Sequence, residues 1–413
     1  MGEIDGSSFS STMGLYLYAT LREDNELAWY SVNRSDGSLE LQGTVPLPGH
    51  GAGIGADPSR TTLFVATHDT AQLCSFRLDP TTGAPSLLNV LDTGLEDPAY
   101  IATDLSGRFL ITPFYASGCV ATYPIDRSDG AARGTAISHI DTGKHAHGVA
   151  IAPTNTHVFI PHAGGTYPHY PAGLRGANCI YQFSLSSDGV LLPNQDAATV
   201  NVTGHAGDAA AEVGPRHLLF RPDNRFVYSS NEQDNSVTMY TYRSVGRFQL
   251  SKLTTNCSLP IQYDSFFFSK RLTGPCSAST GSLTPQQTVS SLPVDYTEGG
   301  AAARLQLHPS GKWVLCANRG HQSLAVFAID EVTGRLEFKG CTKVDATPRA
   351  FAFDSSGRFC YSAGERTDTI KCFSFDQSSG EMKLLHTYGT GRHPWWVEVV
   401  EVGQSAVQYT GSL

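Results

Sequence analysis

Charged residues are scarce in this chain, 16% of 413 positions, and they do not form the runs that support solvent-exposed helices. A helical architecture is therefore not expected. No stretch approaches the roughly 20 apolar residues that cross a bilayer, and the N-terminus lacks a basic segment followed by an apolar core. Neither a membrane span nor a secretory leader is expected, and Met1-Gly2 lacks the Ser or Thr at position 6 that myristoylation needs, because Gly6 stands there. There is no basic excess either: 29 Lys and Arg face 38 Asp and Glu, a net charge of −9, which argues against a nucleic-acid surface. The 9 cysteines contain no Cys-x-x-Cys pair, and their odd number fits a reduced, cytoplasmic compartment.

What is abundant is punctuation. The chain carries 41 Gly and 22 Pro between short segments rich in Val, Ile, Phe and Tyr, the pattern of an all-β protein. At this length either two domains or one large repeat architecture is expected, and the composition prefers the repeat. The repeat is visible as a Pro/Asp/Ser/Gly turn between two apolar strands, followed by a polar corner and a third alternating strand. Six such turns centre on Pro58, Leu105, Pro153, Pro222, Pro309 and Ser355. Third strands follow at Gln72–Leu78, Cys119–Ile125, Asn178–Leu185, Ser236–Tyr242, Ser323–Ile329 and Thr369–Phe375.

The N-terminus carries a seventh copy without its first strand, Leu15 to Thr20 followed by Leu27 to Val32. The stretch Trp395 to Val400 can supply the missing strand and close a ring of seven four-stranded blades, a β-propeller, which leaves only short exposed edges. We read residues 1–13 as a disordered lead and 14–402 as one propeller domain with insertions near 164–176 and 247–286. Residues 403–413 form a tail. Phe266, Phe267 and Phe268 in the longer insertion are expected to pack on a blade face.

In a propeller the first strand of each blade lines the central channel, and the corner after the second strand lies at the end where the first begins. Six residues before each turn position stand Ala52, Ala99, His147, Arg216, Ala303 and Arg349, with Trp395 from the closing strand. Ten residues after stand His68, Tyr115, Ala163, Glu232, Arg319 and Glu365, with Arg22 from the N-terminal copy. One end of the channel therefore collects arginines, glutamates, histidines, a tyrosine and a tryptophan. Folding the central hairpin at Asn224 pairs Arg216 with Glu232 across the strands, with His217 beside them.

Structural roles compete with functional ones. Arg216 with Glu232, and Arg349 with Glu365, are same-blade pairs whose alternative role is to tie strand ends together. Tyr115 and Trp395 can close a core, Arg22 can stack on Trp395, and His68 can be an ordinary satisfied side chain. His145 and His147 share a strand face as a metal pair would. No third ligand has comparable spacing, although His205, Asp208 and Glu212 lie in an adjacent loop, and no metal or cofactor is expected. The Asn318-Arg319-Gly320-His321 corner places a cation in the ring with glycine beside it. Together His147, Arg216, Glu232 and Arg319 offer a proton carrier, a carboxylate and two fixed cations, with no nucleophile evident. Such a set suits acid–base chemistry on an anionic or oxyanion-forming substrate.

Gly214-Pro-Arg-His-Leu-Leu-Phe-Arg-Pro-Asp with Asn231-Glu-Gln-Asp-Asn-Ser-Val, His145-Ala-His-Gly, Ala317-Asn-Arg-Gly-His and Thr347-Pro-Arg resemble the seven-bladed propeller lactonase family. That family includes propeller 6-phosphogluconolactonases and the fungal 3-carboxy-cis,cis-muconate cyclases, and the resemblance spans about residues 14–400. It implies a catalytic group at the positions of His147, Arg216, Glu232 and Arg319, the four that the repeat register selects separately. The reading that follows is a cofactor-independent lactonase acting on a small anionic sugar-acid lactone, with Glu232 as general base, His147 as acid–base partner and the two arginines binding anion and oxyanion. His217, Arg349, His321, Trp395, Tyr115, His68, Arg22 and Glu365 are the candidate substrate contacts. The alternatives are cycloisomerisation of an unsaturated dicarboxylate at the same site and a non-enzymatic binding scaffold.

Overall fold

The computed structural model describes residues 13–165, 176–194, 197–205, 212–243 and 281–402. They form seven antiparallel sheets arranged as propeller blades. Blade 1 pairs the C-terminal strand Pro394–Glu401 with Leu15–Leu21, Glu26–Val32 and Leu39–Pro46, so the expected closure is present. Blade 5 runs Pro215–Phe220, Phe226–Asn231, Ser236–Arg243 and Ser282–Ser290. Blade 6 begins with Ala302–Leu307 and blade 7 with Pro348–Phe353. The expected third strands match Gln72–Leu78, Ser323–Ile329 and Thr369–Phe375, and differ by one residue at Cys119–Pro124, Cys179–Leu185 and Ser236–Arg243. The fourth side of blade 4 is split, with Leu191–Pro193 and Thr199–Asn201 both pairing Cys179–Leu185.

Each recurring sequence feature has a local cause. Asp57, Asp104 and Asp354 use their carboxylates to accept backbone N–H groups across the first turn of their blades, from Thr62, Phe109 and Phe359 at 2.6, 2.8 and 2.9 Å. Blades are stitched by equivalent tyrosines. Tyr18, Tyr228 and Tyr361 donate to the carbonyls of Gly83, Gly334 and Gly37 in the outer turns of neighbouring blades, at 2.6, 2.9 and 2.9 Å. Those three glycines all have φ near +70°, a conformation that costs other residues steric strain.

Two expectations need correction. Arg216 and Glu232 are not cross-strand partners. The strands pair Leu218 with Ser229 and His217 with Ser230, then Pro215 with Asn231, which leaves Arg216 as the extra residue of a β-bulge. Glu232 lies beyond the strand, and its N–H donates to the Gly214 carbonyl at 2.7 Å. The same shift recurs where the inner strands of blades 2, 6 and 7 begin, between Gly51 and Ile54, Ala302 and Leu305, and Pro348 and Phe351. In blade 1 it isolates Trp395 between Pro394 and Trp396. The second correction concerns the longer insertion: residues 282–286, placed within it, belong to the outer strand Ser282–Ser290 of blade 5. Residues 247–280 of the insertion, with the three phenylalanines, lie outside the described residues, as do 1–12, 166–175, 195–196, 206–211, 244–246 and 403–413.

The closing strand is locked from across the channel. Arg304 on blade 6 donates to the Val397 carbonyl at 2.7 Å and pairs with Glu398 at 2.6 Å, its guanidinium 4.2 Å from the Trp396 ring centroid. Trp396 is 2% exposed and also meets Tyr100 edge-on. Replacing Trp396 with Ala is expected to lower unfolding free energy by about 3–5 kcal/mol, the usual result of deleting a buried large aromatic. Urea denaturation followed by fluorescence of the remaining tryptophans measures it, and a loss below about 1 kcal/mol would contradict this account of the seam.

Candidate active site

The bulges re-aim side chains at the channel end where the inner strands begin. A cavity of about 470 Å³ opens there. Arg22, His68, Ala99, Tyr115, His147, Arg216, Glu232, Arg319, Arg349 and Trp395 line it, all of them positions given by the repeat register. Asp69, Asp97 and Trp396 line it as well, and sequence reasoning missed them. Asp69 adjoins His68, and Asp97 precedes Ala99 by two residues in a left-handed conformation, φ 59°. An acidic residue within two positions of a ring residue is the signal that could have found both.

Three candidates stand elsewhere. Glu365 lies behind Arg349, whose Nε is 2.9 Å from its Oε2. His217 lies behind Arg216 and accepts a hydrogen bond from Arg216 Nη1 at 2.6 Å. Its ring packs between Tyr100, His147 and Trp396. His321 is bonded to Ser323 Oγ at 2.8 Å and packed on Tyr296, away from the cavity wall.

Glu232 is the hub. Its Oε2 faces Arg216 Nε at 2.9 Å, and its Oε1 accepts a short hydrogen bond from Arg319 Nη2. The two arginines come from adjacent blades. Arg216 and Glu232 side chains are 2% and 6% exposed, so this is a buried charge cluster whose members depend on one another. Close backbone approach makes it possible. A Cβ on Gly148 would lie 2.6 Å from the Arg216 carbonyl oxygen, and one on Gly214 only 2.2 Å from that of Ala163. The glycines of the His-Ala-His-Gly and Gly-Pro-Arg-His stretches thereby let blades 4 and 5 close on each other.

The surrounding imidazoles are held neutral. His147 is protonated only well below the ordinary range, first because it is buried and then because Arg216, Arg349 and Arg319 repel its cation. His217 and His68 are lowered by the same causes, burial first, then Arg216 and Arg22 respectively. Asp97 moves oppositely, its carboxyl pushed up to about 6 by burial against the pull of Arg22 and Arg349. His147 Nδ1 is buried with no hydrogen-bond partner among the described residues. The His145 ring does not join His147 as a metal pair would: it stacks on Tyr115 at 4.4 Å, and its Nδ1 is bonded to the Gly164 carbonyl. Among the described residues no group of three or more His, Cys, Asp or Glu is arranged to hold a metal ion. The cavity can thus bind an anion, stabilise a developing oxyanion with guanidinium groups and accept a proton on a neutral imidazole.

Comparison with known proteins adds a lineage to this geometry. A family model described as lactonase, 7-bladed beta-propeller, matches residues 9–90, 54–265 and 274–399. The 6-phosphogluconolactonase of Pectobacterium atrosepticum is 28% identical over 371 residues, 89% of this chain and 93% of that protein. That of Yersinia enterocolitica is 27% identical over 368 residues, 89% and 92% of the two chains. In structure, the periplasmic gluconolactonase of Pseudomonas aeruginosa superposes with a TM-score of 0.74 at 23% identity, covering 94% of this chain and 99% of that one, which shows a shared fold.

The buried imidazoles fix the sign of the pH dependence. Unfolded, His68, His147 and His217 take up protons below about pH 6.5, whereas folded they resist until lower pH. Their contribution is constant above pH 6.5, and stability falls as pH drops below it, by up to about 1.4 kcal/mol per pH unit for each group. Asp97 opposes this, gaining stability as pH falls through about 6, but it is one carboxyl against three imidazoles. Urea midpoints measured from pH 7.5 to 5.5 at constant ionic strength should therefore decline, and a midpoint that stays flat or rises would show that the imidazoles are not held neutral.

Proposed function

The chain belongs to the seven-bladed β-propeller lactonase family, and from that premise we propose that it hydrolyses a small anionic sugar-acid lactone of the 6-phosphogluconolactone type, without a cofactor, in the cavity at the bulged end of the channel. The observation that carries the reading is Glu232 clamped between guanidinium groups of two blades beside a neutral, unpartnered imidazole nitrogen. A lone buried nitrogen of that kind costs about 1–3 kcal/mol unless it meets a ligand or water, and an attacking water is a suitable partner.

In this reading the roles of Glu232 and His147 differ from those expected from sequence. Each oxygen of Glu232 already faces a guanidinium, so its task is to hold Arg216 and Arg319 in place, and His147 is the proton acceptor not tied into an ion pair. A water oxygen bonds to the lactone carbonyl carbon as its proton passes to His147. The carbonyl oxygen takes up negative charge, which the guanidinium groups stabilise where water is largely excluded. The tetrahedral intermediate then collapses, the bond from carbon to the ring oxygen breaks, and the imidazolium returns its proton to that oxygen. The product is an open-chain hydroxy acid.

Proton release from 6-phosphogluconolactone, followed by pH-stat with correction for spontaneous hydrolysis, tests the assignment. His147→Gln should lower kcat/KM by roughly 10²–10⁴-fold, the span of a well-placed general base. Arg216→Met and Glu232→Gln should each reduce turnover by roughly 10²-fold or more through loss of oxyanion stabilisation. Circular dichroism and thermal melts establish that each variant is folded. Wild-type rates in folded His147→Gln and Arg216→Met would overturn the reading, and turnover of 3-carboxy-cis,cis-muconate in place of lactones would move the site to cycloisomerisation.

A further inference from the structure

The hydrolytic group does not use all the charge in the cavity. A second cluster gathers around Trp395, the extra residue of the closing-strand bulge. Arg349 and Arg22 both lay guanidinium groups on its indole, with Cζ 3.6 and 4.2 Å from the ring centroid, and His68 meets it edge-on at 5.5 Å. Arg349 is neutralised by Glu365. Arg22 has no carboxylate within ion-pair distance among the described residues. It donates instead to His68 Nδ1 at 2.9 Å. That bond fixes the tautomer: Nδ1 accepts, so the hydrogen sits on Nε2, which is buried and has no partner among the described residues.

Arg22 therefore brings a guanidinium charge with no carboxylate counterpart among the described residues to the indole that Arg349 also covers, and an anion joining the cluster supplies that counterpart. The carboxylate beside this cluster is Asp97, 3.6 Å from His68 Nδ1, and burial makes that carboxyl ready to take up a proton as a stronger anion arrives. The donors come from three places, blade 1, blade 7 and the corner of blade 2, so they suit a ligand group with three outward oxygens better than a planar carboxylate with two.

We propose that Arg22, Arg349, His68 and Trp395 form a subsite for a phosphate monoester, the non-reacting anionic group of the substrate. The subsite gives the cavity two poles. The Glu232 clamp and His147 act on the lactone carbonyl, and the Trp395 cluster holds the distant phosphate. This assignment rests on the lactonase reading for its substrate but concerns different side chains, and it makes phosphorylation of the sugar acid the feature the enzyme selects.

Kinetics with 6-phosphogluconolactone and with unphosphorylated δ-gluconolactone test it. The ratio of the two kcat/KM values should favour the phosphorylated lactone in the wild type. Arg22→Gln should collapse that ratio by roughly tenfold or more, the usual effect of removing a charge-assisted hydrogen bond, chiefly through KM for the phosphorylated substrate. Arg22→Lys, which keeps the charge, should recover part of it. An unchanged ratio, or equal loss for both lactones in folded Arg22→Gln, would overturn the subsite. Should the wild type hydrolyse neither lactone, the functional reading fails by itself. Calorimetric titration of inorganic phosphate then decides the subsite, which predicts binding to the wild type that Arg22→Gln loses and is contradicted by equal affinities.

Discussion

One carboxylate holding two guanidinium groups from different blades is the constraint on which the mouth of this propeller is built. Arg216 is almost wholly buried, and a buried guanidinium without its partners is strongly destabilising. It is satisfied from two sides, by Glu232 beyond the second strand of its own blade and by His217, the next residue in its strand. Glu232 in turn reaches Arg319 on blade 6. The clamp therefore fixes the relation between blades 5 and 6 and sets the electrostatics around it. Burial first, and then the neighbouring cations Arg216, Arg349 and Arg319, hold His147 neutral in the resting cavity.

Ring closure and site assembly are linked through the last strand. Trp395 and Trp396 are neighbours in sequence with separate duties. Trp396 is packed against Arg304, Tyr100 and His217 and secures the seam. Trp395, set apart by the bulge, carries Arg22 from blade 1 and Arg349 from blade 7. The first and last strands of the propeller thus meet where the second cationic cluster forms, and that cluster cannot assemble before the propeller closes.

The fold was largely legible in sequence because the turn between the first two strands recurs from blade to blade, with Asp57, Asp104 and Asp354 performing one task in three of them. The ring of channel residues was legible for a less direct reason. A flat hairpin register pairs Arg216 with Glu232, which the structure does not do, yet counting from the turns still found the cavity residues because the inserted bulge recurs at the same level in several blades. A bulge shifts hydrophobic alternation by one residue, but Pro215 to Leu218 are all buried, so no alternation is present there to reveal the shift. His217 shows the consequence: read as a substrate contact, it stands behind Arg216 because the strand resumes ordinary pairing there. Asp97 was missed because its position depends on a left-handed backbone turn outside the repeat arithmetic.

The central claim is that Arg216 and Arg319 act as one unit through Glu232. A double-mutant cycle on kcat/KM for lactone hydrolysis tests it most directly, using Arg216→Lys, Arg319→Lys and the double variant, with folding verified in each. If the clamp is the functional unit, the second substitution adds little once the first has been made, leaving a coupling free energy of about 1 kcal/mol or more. Losses that simply add would mean that the two arginines work independently, and would contradict the account.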